Sequence, residues 1–115
     1  MSKGLSQAKK SAVFEKYEGR CAYCGKELTT SNFHIDHINP KSCGGGNETS
    51  NLNPSCANCN ASKSDKDLED YRLFMMIRNS AFNGIITTAL WRLLQNRGVM
   101  INLPIHIFHY ETEAA

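Results

Sequence analysis

The chain has no uninterrupted apolar run long enough to cross a bilayer. Its opening residues, MSKGLSQAKK, lack the apolar stretch of a secretory signal. No membrane partner and a cytoplasmic location are therefore expected. Charge of one sign is also scarce: 13 Lys and Arg against 11 Asp and Glu leave +2, so charge alone does not announce a nucleic-acid partner. Large aliphatic side chains are few up to about Lys66, where Ser, Asn, Gly and Lys dominate. Such a stretch buries little core, and small folds of that kind usually need a metal or disulfide staple. There is no internal repeat and no low-complexity linker. A length of 115 residues fits one domain. The charge that exists is uneven. Lys3, Lys9, Lys10, Lys16, Arg20 and Lys26 crowd the start and Glu111 and Glu113 the end, which suits either a solvated face or a basic docking surface.

Cysteine is the residue type that is present in pattern. Four of the five cysteines form two Cys-x-x-Cys pairs, Cys21 with Cys24 and Cys56 with Cys59, separated by 31 residues. In a cytosolic chain disulfides seldom persist, and such pairs more often hold metal. Each knuckle presents two sulfurs to one side, so the two pairs can supply a thiolate tetrahedron for zinc. With no vacant position such a site is structural, and the metal contributes folding energy rather than chemistry. The competing reading is four ordinary buried or redox thiols. Cys43 is left over, as a bystander thiol in a loop.

Local patterns place these residues. Residues 5–18 suggest an amphipathic helix with Val13, Phe14 and Tyr17 on its apolar strip. Residues 20–28 form a turn in which Gly25 permits positive φ. Phe33 to Ile38 reads as a strand with Phe33 and Ile35 on one face, 41–50 as a loop, and Asn51 to Asn53 as the return strand, ended by Pro54-Ser55. Ser55 is expected to cap a helix carrying Cys56, Cys59, Asn60 and Lys63. A further helix starts near Ser64–Asp67, another spans 81–97 and is closed by Gly98, and Val99 to Tyr110 suggests a strand interrupted by Pro104.

The chemistry lies between the cysteine pairs. Asp36 and His37 end the first strand, and Asn60 follows Cys59 on the helix. A carboxylate and an amide oxygen are hard donors suited to Mg²⁺ or Mn²⁺. An imidazole is a natural base for taking a proton from water at neutral pH. Strict alternation would put Asp36 and His37 on opposite faces; they share a site only if the strand twists or breaks before Asn39-Pro40.

The ordered set Cys21-Ala-Tyr-Cys24-Gly, His34-Ile-Asp36-His37-Ile-Asn-Pro40, Gly44-Gly45-Gly46-Asn, Asn51-Leu52, Cys56-Ala-Asn-Cys59-Asn60 and Lys63 resembles the HNH endonucleases of the ββα-metal type. The resemblance runs from about Arg20 to Lys66. It implies a zinc-stapled ββα core at 20–66; joined to the N-terminal helix and the helical extension at 67–115 ending in a strand that the local patterns suggest, the expectation is an α+β fold in a single domain 1–115. It implies a DNA endonuclease in which His37 activates water and Asp36 and Asn60 hold one divalent cation on the scissile phosphate. Asn51 then braces the loop and fixes His37 through hydrogen bonds, and Cys21, Cys24, Cys56 and Cys59 hold structural Zn²⁺. The products would be a 5′-phosphate and a 3′-hydroxyl. The third family letter is often histidine and here is Asn60, which keeps an oxygen ligand.

Other residues carry weaker expectations. Lys41, Lys63 and Lys66 flank the site and could meet phosphates. His34 suits an exposed strand position, the glycine run either a flexible connection or a phosphate contact, and His106 and His109 no second metal site. The apolar C-terminal half suits core or a homodimer surface. Restriction, phage and defence settings are all compatible. The rival function is a zinc-stapled nucleic-acid-binding module without catalysis, which would need only the cysteines and basic side chains.

Overall fold

The computed structural model describes residues 4–112, so Lys3 and Glu113 lie outside the described residues. In chain order the elements are α1 (Gln7–Glu15), β1 (His34–His37), β2 (Leu52–Ser55), α2 (Ala57–Lys63), α3 (Leu68–Arg78) and α4 (Thr88–Asn96), with single 3₁₀ turns at Lys41–Cys43, Thr49–Asn51 and His109–Glu111. The class is α+β, with β1, β2 and α2 forming the expected ββα unit. The chain divides into two compact units. One runs through Asp67 and includes the segment from Phe108; the other is Leu68–Ile107.

In the first unit, Ser6 starts α1 by accepting the Lys9 N–H on its hydroxyl at 3.0 Å, one of the orphan donors of a helix start. β1 and β2 pair antiparallel in the register Ile35–Pro54, Asp36–Asn53 and His37–Leu52. Pro54 was expected to end the strand, yet it lies within it. In a two-stranded sheet a proline can take an outer position without breaking a ladder, and its carbonyl accepts from the Ala22 N–H at 2.9 Å. Val13, Ile35 and Leu52 form the buried core, with Leu5 and Phe33 packed on it. Phe14 meets Phe33 edge-on with ring centroids 5.2 Å apart.

The helix α2 is not capped by Ser55. Cys56 is its N-cap, and its sulfur accepts the Cys59 N–H at 3.4 Å. The expected strand over Val99–Tyr110 is also absent: the only sheet among the described residues is β1–β2. Pro104 cannot donate to a ladder, and no strand pairs with this segment. The last residues of the expected 67–115 extension instead belong to the first unit. The His109 and Tyr110 N–H groups donate to the carbonyls of Tyr23 (3.1 Å) and Ala22 (2.8 Å). Phe108 and Tyr110 set their rings edge-on to Tyr23 at 5.3 and 6.0 Å.

In the second unit, α3 buries Tyr71, Leu73 and Ile77, and Arg72 donates to the His106 carbonyl at 2.9 Å. The helix expected over 81–97 is shorter. Residues 81–85 are turns, and α4 begins only after Thr87, whose hydroxyl accepts the Leu90 N–H at 3.1 Å. Gly98, at φ +80°, follows its end. No helix of the described residues is long and apolar enough to cross a membrane.

With so few apolar residues in the first unit's core, each one matters. Leu52→Ala, at a fully buried position, is expected to destabilise the zinc-loaded protein by about 2–5 kcal/mol, read from urea unfolding midpoints; a loss below about 1 kcal/mol would contradict the assigned core.

Candidate functional site

The site begins with the thiolate cage. Gly25, at φ +79°, turns the chain back so that its N–H donates to the Cys21 carbonyl at 2.9 Å. The second pair sits at the cap and first turn of α2. The four Sγ atoms of Cys21, Cys24, Cys56 and Cys59 all lie within 4.8 Å of one another, with Cys24 and Cys56 at 3.8 Å. A tetrahedron with Zn–S of about 2.3 Å has an edge of about 3.8 Å, so the donor set matches zinc in chemistry and size. The crowded sulfurs already polarise one another. The hydrogen bond from Cys59 pulls the Cys21 thiol down to about 4, and the same bond pushes Cys59 up.

Asp36 and Lys63 form the buried electrostatic centre. Asp36 is 5% exposed and Lys63 is 0% exposed, with Nζ 3.2 Å from Oδ2. The ammonium also donates to the carbonyls of His37 (2.9 Å), Ile38 (3.3 Å) and Lys66 (2.8 Å). Lys63 therefore cannot meet a phosphate as expected. It faces inward because three carbonyls and a carboxylate replace its water, the condition for burying a charge. The Tyr23 hydroxyl donates to the same Oδ2. Burial nonetheless pushes the Asp36 carboxyl up, with Tyr23 and Lys63 only partly offsetting it. Both protein contacts fall on Oδ2, so Oδ1 is the oxygen available to a cation.

His37 is half-buried, and its Nε2 lies 2.8 Å from Asn47 Oδ1. An amide oxygen only accepts, so Nε2 carries the proton and Nδ1 keeps the lone pair a base needs. The resemblance implied that Asn51 would hold this ring; here the partner is Asn47. Asn51 instead ties the loop: Oδ1 accepts from the Asn39 N–H at 2.8 Å, and Nδ2 donates to the Asn39 and Gly46 carbonyls at 3.1 and 2.9 Å. Gly45 packs so tightly beneath this brace that a Cβ would fall 1.7 Å from the Asn39 oxygen. The glycine run is thus packed at Gly45, while Gly44 stays open. Lys9 completes the support by donating to the Asn47 carbonyl at 2.8 Å. Lys16 likewise donates to the Leu52 carbonyl at 2.6 Å. These two lysines of the basic start are therefore internal clamps, not a docking surface.

Asp36, His37 and Asn60 line one cleft of about 420 Å³, together with Lys41 and Ser42. Simple alternation would separate Asp36 from His37, so the strand end brings them to the same opening. Lys41 is exposed at this cleft, whereas Lys66 donates to the Ser62 carbonyl at 2.9 Å. His34 is exposed and lines the neighbouring groove between α1 and β1. Asn47, Tyr23 and the inward role of Lys63 were missed from sequence. The spacing of Lys63 three residues after Asn60 put it on the same helix face; Asn47 stood in the sequence pattern only as the residue closing the glycine run.

Comparison with known proteins follows this geometry. Residues 21–72 match the family model described as HNH endonuclease. YoqL of Bacillus subtilis (strain 168), a SPbeta prophage-derived protein named as an HNH endonuclease, is 32% identical over 66 residues, covering 48% of this chain and 27% of YoqL. The crystal structure of the Type II-C Cas9 enzyme from Actinomyces naeslundii superposes with a TM-score of 0.51 and 29% identity, over 56% of this chain and 7% of that one. The chain thus spans only a small part of either protein.

Two outcomes follow from the site's construction. Cys59→Ser removes one corner of the cage and is expected to lower bound zinc well below that of the wild type, measured by metal release and elemental analysis; equal zinc would contradict the cage. Lys63→Met leaves the Asp36 charge buried without its ion pair and is expected to cost about 3–5 kcal/mol. Unchanged stability in denaturant would contradict the clamp.

Proposed function

We propose, from the match of residues 21–72 to the HNH endonuclease family model, that the chain hydrolyses DNA phosphodiester bonds with the help of a divalent metal. The observation that carries this reading is the shared cleft, in which a buried carboxylate, a ring with its Nδ1 lone pair kept free, and an amide stand together. A nucleic-acid-binding module would need none of the three.

Asp36 Oδ1 and the Asn60 amide oxygen are the residues that would hold Mg²⁺ or Mn²⁺, and the four cysteines would hold structural zinc. Bound there, a hard cation would neutralise charge on the scissile phosphate and on the departing 3′ oxygen. Everything else falls to the chain. His37 takes a proton from the attacking water at Nδ1. Asn47 accepts the Nε2–H, which fixes the ring and its tautomer. Lys63 holds the His37 and Ile38 carbonyls, so the ring's own backbone is anchored from below. Exposed Lys41 at the cleft supplies a positive charge toward the DNA backbone. In-line attack leaves a 5′-phosphate and a 3′-hydroxyl. One such centre cuts one strand, so double-strand cleavage would need a homodimer, for which the apolar C-terminal half is the surface, or two successive nicks.

The test is plasmid nicking in Mg²⁺ or Mn²⁺ against EDTA. Wild-type protein should nick only with added divalent ion, and His37→Ala should lose about 100-fold or more of that rate while keeping its zinc. Asn47→Ala should fall between the two, because the base remains but its tautomer and orientation are released. Undiminished cleavage by His37→Ala would remove the assigned base; DNA binding without nicking in any metal would favour the non-catalytic module.

A further inference from the structure

Tyr23 is the side chain whose position the proposed chemistry leaves unexplained. It lies between the two cysteines of the first knuckle, so its backbone is fixed by the cage, yet its hydroxyl ends on Asp36 Oδ2 rather than near the sulfurs. The ring is buried and gripped edge-on by Phe108 and Tyr110.

The direction of donation along this line is set by its ends. Lys16 has only protons to give, and its ammonium lies 3.3 Å from Asn53 Oδ1. That fixes the Asn53 amide so that Nδ2 donates to the Tyr23 oxygen at 3.4 Å. With its oxygen accepting, the Tyr23 proton points at Asp36. Lys63 approaches the same Oδ2 from α2. Two donors on one carboxylate oxygen fix the carboxylate's rotation and leave Oδ1 outside both contacts, on a residue that lines the cleft.

We infer that Tyr23 is a positioning residue for the cation-binding carboxylate: held by the thiolate knuckle, it donates to Asp36 Oδ2 and so presents Oδ1 to the divalent ion. The inference rests on the proposed metal-dependent reading of the cleft. It links the two metal sites, because the residue that orients the catalytic ligand is part of the cage's own loop. Partners that orient metal ligands typically change metal affinity by about 10–100-fold when removed, and a phenylalanine at this position keeps the ring packing while deleting the donor.

The experiment compares wild type, Tyr23→Phe and Asp36→Ala, each loaded with zinc, by electron paramagnetic resonance titration with Mn²⁺ in the absence of DNA. Tyr23→Phe is expected to keep its zinc and to weaken Mn²⁺ binding by about tenfold or more. Its plasmid nicking should shift to correspondingly higher metal and recover most of the wild-type rate at saturation, a pattern that lost packing alone would not give. An Mn²⁺ affinity within about twofold of wild type overturns the inference. The Asp36→Ala arm separates the two levels. If it binds Mn²⁺ as wild type does, the metal-binding reading of the cleft falls and this inference with it; if it loses the ion while Tyr23→Phe does not, only the role of Tyr23 falls. Should Tyr23→Phe fail to fold, 3-fluorotyrosine placed at position 23 keeps both ring and hydroxyl. Its fluorine resonance should move on addition of Mg²⁺ and stay fixed in the Asp36→Ala background; a resonance indifferent to Mg²⁺ in the wild-type background overturns the inference.

Discussion

Four sulfurs within 4.8 Å of one another are the constraint on which the first unit depends. Val13, Ile35 and Leu52 are its buried aliphatic cluster, worth about 1.5–3 kcal/mol each. Ordering the loops around a two-stranded sheet costs far more than that in chain entropy. Structural zinc binds finger peptides with apparent free energies of about 10–16 kcal/mol, enough to shift the balance. The cage also decides where things go. It joins a knuckle at Cys21 to the first turn of α2, and that junction carries Asn60 to the cleft that Asp36 and His37 line.

A second layer of order is electrostatic and costly. Burying an ammonium and a carboxylate together is not in itself stabilising, because desolvation can exceed their attraction. What the pair contributes here is specificity of position: Lys63 reads the carbonyls of His37 and Ile38 as well as the carboxylate. A strand end that alternation would splay is thereby held with two adjacent functional side chains toward one opening. The lysines of α1 work similarly. Lys9 holds the carbonyl of Asn47, whose side chain meets the His37 ring, and Lys16 heads the line of donors ending at Asp36. Several of the chain's cations, Lys9, Lys16 and Lys63 among them, are thus engaged by backbone carbonyls and buried side chains rather than displayed on an open basic surface.

The elements that motif chemistry dictates were legible in the sequence. Paired cysteines, a glycine needing positive φ at position 25, and the short ββα run each follow from residue type and spacing. Legibility failed where a side chain's partner comes from a distant segment. Lys63 looks like any helix-end lysine until three carbonyls are folded around it. Asn51 was the expected partner of the imidazole, but its amide is taken up by Asn39 and Gly46, and Asn47 meets the ring instead. The alternating apolar pattern of 99–110 suggested a strand, but periodicity describes a face and does not supply a neighbouring strand. That segment's end became a cover for Tyr23 instead, through two backbone hydrogen bonds. Cys56 took the cap from Ser55 because a sulfur held for metal is also placed to accept the Cys59 N–H, one of the orphan donors of the first turn of α2.

The most direct test of the account is a crystal of the His37→Ala protein grown with zinc and Mn²⁺ on a DNA duplex, with anomalous maps recorded at both metal edges. The account predicts a zinc peak among Cys21, Cys24, Cys56 and Cys59. It predicts a separate manganese peak touching both Asp36 and Asn60, with a phosphate oxygen on the same ion. Manganese bound elsewhere, or a cleft in which Asp36 and Asn60 cannot reach one ion while DNA lies against another face, would contradict it.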